Sequence, residues 1–116
     1  MVQQYKDRIK ILEDDEIEEI YGLPRFSPDE RAYYFSLTPE ERDITNNYRT
    51  PENSILFILQ VGYFKAKTMF FSFKFNEVQA DVQYILQQHF SFSPDLHLDE
   101  PILRQTKYVQ QQKILE

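Results

Sequence analysis

Thr50-Pro51-Glu52-Asn53-Ser54-Ile55-Leu56-Phe57-Ile58-Leu59-Gln60-Val61-Gly62-Tyr63-Phe64-Lys65-Ala66 decides the fold of this 116-residue chain. It opens with a hydroxyl residue able to cap a helix. A proline suited to the first helical position follows, and then an acid that suits the positive end of a helix dipole. From Ile55 to Phe64, apolar side chains occupy most of the helical circumference. A helix that is apolar on nearly all sides is a buried one. The stretch therefore predicts a central helix over 51–66, with the other elements packed around it.

Upstream, the same opening occurs twice. Ser27-Pro28-Asp29-Glu30 and Thr38-Pro39-Glu40-Glu41 each place a cap, a proline and two acids in sequence, and Thr38 with Glu41 forms a capping box. These predict helices over 28–35 and 39–47. Asp14 starts a short helix over 14–21, which Gly22 and Pro24 stop. Downstream, Asn76-Glu77 opens a helix over 76–90. Its Val78, Val82, Ile85, Leu86 and Phe90 fall on one stripe. Between the two, Phe71, Phe73 and Phe75 alternate with Ser72 and Lys74. The alternation reads as an extended connector that docks aromatic rings on the core, with a short edge strand as the alternative. The last helix covers 102–116. The expected fold is all-α, one compact multi-helix domain over 1–116, with a helix-turn-helix-like pair formed by the last two helices.

Composition agrees with this reading. Hydrophobic residues make up 41% of the chain and aromatic ones 16%, too apolar for disorder. Only two glycines occur, Gly22 and Gly62, which suits helices better than turn-rich sheets. With no cysteine, disulfides and thiolate metal sites are excluded. The longest apolar run, Ile55 to Leu59, is far short of a membrane span, and an acid-rich opening is wrong for a signal peptide. A cytoplasmic location without membrane contact follows as the expectation.

Few residues invite catalysis. His89 and His97 stand eight apart, without metal-ligand spacing, and read as helix-end and loop histidines. The acids from Glu13 to Glu19 read as solvated first-turn acids. No phosphate loop, dinucleotide fingerprint or nucleophile elbow is present, so neither an enzyme nor a cofactor is expected.

Charge points elsewhere. The net charge is −6, against the basic footprint usual in nucleic-acid binders. It is unevenly spread: residues 1–50 hold seven basic and twelve acidic side chains, whereas 102–115 hold Arg104, Lys107 and Lys113 with no acid. In that last helix Val109 and Ile114, with Leu103 or Leu115, are expected to form the buried stripe. Arg104, Lys107, Gln110, Gln111 and Lys113 would then face outward. These side-chain types reach phosphates and base edges. Lys65, Lys67 and Arg49 are further candidates for phosphate contact.

Three longer stretches carry a family likeness. Leu23-Pro24-Arg25-Phe26-Ser27-Pro28-Asp29-Glu30-Arg31-Ala32-Tyr33-Tyr34-Phe35-Ser36-Leu37, with Ile17 to Gly22 before it, resembles the opening of class II replicative transposases of the Tn-three type. Pro51 to Ala66, followed by Phe70-Phe71, is similar to that family's N-R-L-x-F-x-L-Q-L-x-Y-F-K/R segment. Leu103-Arg104-Gln105-Thr106 through Gln110-Gln111-Gln112-Lys113-Ile114-Leu115 resembles its closing Arg- and Gln-rich helix. The likeness spans roughly residues 9–116. It implies a piece of a long transposase whose N-terminal region binds the transposon's terminal inverted repeats. A distant RNase-H-like domain would carry three magnesium-binding acids. Double-stranded DNA is the implied partner, and contact with a second copy or other transposase domains is the alternative role. One departure stands out: Ser54 occupies a position where that family usually has arginine.

Overall fold

The computed structural model describes residues 22–90 and 102–116. The helix expected over 14–21, the neighbouring acids and His97 lie outside them. Three helices begin where the sequence places a hydroxyl residue before proline. In α1 (Pro28–Tyr34) the Ser27 hydroxyl accepts the Glu30 N–H, and the Glu30 carboxylate accepts the Ser27 N–H at 2.8 Å. In α2 (Pro39–Asn46) Thr38 and Glu41 repeat the exchange. In α3 (Pro51–Lys67) Thr50 caps the Asn53 N–H, but no acid stands three residues on to reciprocate. Each cap satisfies donors that a helix start leaves open.

As expected, α3 is the centre of the fold. Every residue from Ser54 to Tyr63 is buried. On it pack α1, α2, α4 (Gln79–His89) and α5 (Arg104–Leu115). The helix expected over 76–90 begins instead as a 3-10 turn, Phe75–Val78. There the Glu77 carboxylate accepts the Lys74 N–H at 2.8 Å. The aromatic stretch before it is an extended connector, with no strand among the described residues. Its Phe71 and Phe73 rings meet the Tyr63 ring edge-on, at centroid distances of 6.2 and 5.6 Å. Val78, Val82 and Ile85 of the predicted stripe are buried, and Leu86 and Phe90 pack at its margin.

The core is heavily aromatic. α1 buries none of its own residues and is held by Phe26 before it and Phe35 after it. These rings close on each other at 5.4 Å and on Tyr63 at 5.8 and 5.9 Å. Edge-on and tilted pairs at such spacings are the favoured arrangement of aromatic quadrupoles. Phe35 fits because it crosses α3 at Gly62, where a Cβ would stand 2.4 Å from two of its ring carbons.

Polar contacts fasten the periphery. Arg31 of α1 donates through Nε to the Asp81 carboxylate of α4 at 2.8 Å, bridging fifty residues of sequence. The second Asp81 oxygen accepts the Tyr63 hydroxyl at 2.5 Å. Burial, reinforced by that carboxylate, pushes the Tyr63 phenol far above its ordinary value, so it remains a donor. His89 lies 3.1 Å from the Phe35 carbonyl through Nε2. Burial, helped by Arg42 and opposed by the Phe35 carbonyl, lowers its pKa; because a carbonyl only accepts, Nε2 is the protonated nitrogen in that contact. Lys65 donates to the Ser36 carbonyl and to Glu41, tying the end of α3 to the α1–α2 turn. α3 itself ends at Thr68 in the left-handed region, φ 57°, where the Thr68 N–H donates to the Phe64 carbonyl.

Candidate nucleic-acid interface

α5 is positioned by amides. Gln60 is the one carboxamide in the buried middle of α3, and it meets two glutamines of α5. Its Nε2 donates to the Gln110 Oε1 at 2.8 Å, and its Oε1 accepts the Gln111 Nε2 at 3.2 Å. Gln110 also donates to the Asn53 carbonyl at 3.0 Å. Gln110 is 1% exposed and is the only residue of α5 that is fully buried. The expectation that Gln110 faces outward is therefore corrected: in this arrangement its amide is spent inside the chain. Gln111 is half-buried and engaged in the same cluster.

This seat fixes the rotation of α5 and reverses the hydrophobic stripe expected for it. Leu103, Tyr108, Val109 and Leu115 are exposed, Val109 by 46% and Leu103 by 69%, while Ile114 is half-buried. Hydropathy would have turned Val109 inward. The three amide contacts to α3 turn it out.

The cations divide into two groups. Arg104 is exposed and Lys107 half-buried. They stand three residues apart, nearly one turn, and so share a side of the helix. Lys113 follows Arg104 by nine residues, about two and a half turns, which places it on the opposite side. Its ammonium lies 5.7 Å from the centre of the Tyr48 ring, within range of a cation–π contact. Exposed Arg49 follows Tyr48 in the chain and belongs to that end of the domain. Among the described residues, no carboxylate pairs with Arg104, Lys107 or Lys113. Lys65 differs: its ammonium is held by Glu41 at 3.1 Å, at the far end of α3. Lys67 is half-buried at that same end.

Several residues here escaped sequence reasoning. Tyr48 is the floor under Lys113. Burial pushes its phenol up, with the Gln110 amide pulling the other way, yet its hydroxyl completes no hydrogen bond among the described residues. Gln60 was legible in principle, as a lone carboxamide in an apolar helix. Ser54, on the α2 side of α3, donates its hydroxyl to the Thr45 carbonyl at 2.9 Å and is buried. That position therefore serves the α2–α3 corner. The interval from His89 to Arg104 exceeds the three- or four-residue turn of a helix-turn-helix pair, and α5 takes its place from α3 rather than from α4.

A cavity of about 360 Å³ opens among Leu23, Phe26, Val78 and the Arg31–Asp81 pair. Among the described residues no three histidine, aspartate or glutamate side chains gather as a metal site, and no helix is long and apolar enough to cross a membrane.

Neither a curated protein nor a solved structure matches the chain. The profile of one family, described as Domain of unknown function (DUF4158), matches residues 11–116, nearly the whole length, and the chain belongs to that family.

Proposed function

We propose that this is the DNA-binding domain of a Tn-three-type replicative transposase from a bacterial mobile element. On this reading it recognises the transposon's terminal inverted repeats in the cytoplasm and leaves the strand chemistry of recombination to a separate domain. The observation that carries it is α5: a helix without acids whose Arg104, Lys107 and Lys113 have no carboxylate partner among the described residues. The family likeness of the opening and of the α3 segment supports the same reading. Arg104 and Lys107, on one side of α5, are the first choice for phosphate contacts. Lys113 and Arg49 form a second, separate group.

The test is a titration of the chain with a terminal-repeat duplex at several salt concentrations. Each neutralised phosphate contributes about 0.9 to the slope of log affinity against log salt. Arg104→Ala with Lys107→Ala should weaken binding and lower that slope by nearly two. Unchanged affinity and slope would remove α5 from the interface.

A second reading, a protein-interaction module of the transposase, is favoured by one observation. Leu103, Tyr108, Val109 and Leu115 are large apolar side chains exposed on one short helix. No gel retardation of the duplex at low salt, together with self-association in solution, would favour this reading over DNA binding.

A further inference from the structure

We infer that α5 is a releasable arm, latched to α3 by the Gln60–Gln110 amide pair, and that it leaves its seat while α1–α4 stay folded. Among the described residues the buried core cluster draws nothing from α5; the nearest contribution is Ile102, before the helix, which packs at the cluster's margin. Phe26, Phe35, Ile55, Leu59, Phe73 and Ile85 come from the flanks of α1, from α3, from the connector and from α4, and no α5 residue joins their cluster. The one fully buried residue of α5 is an amide, Gln110. Amide–amide hydrogen bonds exchange for bonds to water with little net gain, unlike apolar burial. Of the apolar side chains that could have anchored the helix, Leu103, Tyr108, Val109 and Leu115 face solvent and only Ile114 is half-buried.

α5 is also poorly prepared to stand firm by itself. No side chain caps its start, its first turn holds no acid, and Arg104 sits at the positive end of its dipole. On α3 the uncovered strip would be short. Asn53, Phe57 and Gln60 follow one another at helical spacing, and the Tyr48 ring still lies 5.7 Å from Phe57.

Release would change what α5 can touch. Docked, the helix offers cations and apolar side chains but hides Gln110 and most of Gln111. Free, it presents both carboxamides, the groups that read adenine edges in a major groove. This use of the arm rests on the DNA reading above, whereas the release does not.

Native-state hydrogen exchange on the DNA-free chain tests the release. The amides of α5 should exchange about a hundredfold faster than those of α3, through an opening that leaves α3 protected. Gln110→Ala should speed exchange in α5 alone, by about tenfold, and Gln60→Leu with Gln110→Leu should slow it by replacing the amide latch with an apolar contact. Equal protection of α5 and α3 overturns the inference. So does a Gln110→Ala effect spread evenly over all helices, which would mark Gln110 as an ordinary core residue. Fast exchange in α5 without any duplex binding would leave the release standing and sink only the DNA reading.

Discussion

Asp81→Ala is expected to cost about 3 kcal/mol of stability, read as a lower denaturation midpoint in urea. Asp81 is 6% exposed, and both its oxygens are used. One holds the Arg31 guanidinium and the other the Tyr63 hydroxyl. Alanine strands both donors, and stranding buried donors costs more than their bonds contribute in the intact protein. The estimate sits at the low end for a broken buried ion pair because Arg31 keeps 22% of its side-chain surface exposed and can turn partly to water. Asp81→Asn keeps the shape and an acceptor for Tyr63 but loses the charge, and should cost about half as much. An alanine variant losing less than about 1 kcal/mol would mean that the Arg31–Asp81–Tyr63 cluster does not fasten α1 to α4.

Gly62→Ala should destabilise the domain by about 2 kcal/mol, although alanine is the better helix former by about 1 kcal/mol. Packing outweighs propensity here. The new methyl would stand 2.4 Å from two ring carbons of Phe35 and 3.2 Å from the Tyr34 carbonyl. Phe35 cannot swing aside, because it is 1% exposed and hemmed in by the rings of Phe26, Tyr63 and Tyr84. Relief requires the end of α1 to lift from α3. A thermal melt showing a gain in stability would contradict the close crossing of the two elements.

Local signals were legible in the sequence and remote ones were not. Ser27, Thr38 and Thr50 announce helix starts because each cap bonds within three residues of itself. The burial of α3 was legible because apolar side chains surround it. By contrast, Arg31 and Asp81 are fifty residues apart, and nothing near either names the other. The interface was half legible. That α5 is basic is a fact of composition. Which way it faces depends on Gln60, in another helix, and hydropathy alone turned Val109 inward and Gln110 outward. The same rotation separates Lys113 from Arg104, a division invisible in a linear run of cations.

Thr68 has a consequence for engineering. Its left-handed backbone is unusual for a β-branched residue, whose side chain crowds the main chain there. Glycine or asparagine adopts that conformation more easily, so Thr68→Gly should raise the melting midpoint through a gain of about 0.5–1 kcal/mol, net of glycine's greater freedom when unfolded. A laboratory selection for heat tolerance would therefore be drawn to the turn that ends α3, well away from the glutamine seat and the cations of α5, and could harden the scaffold without altering them.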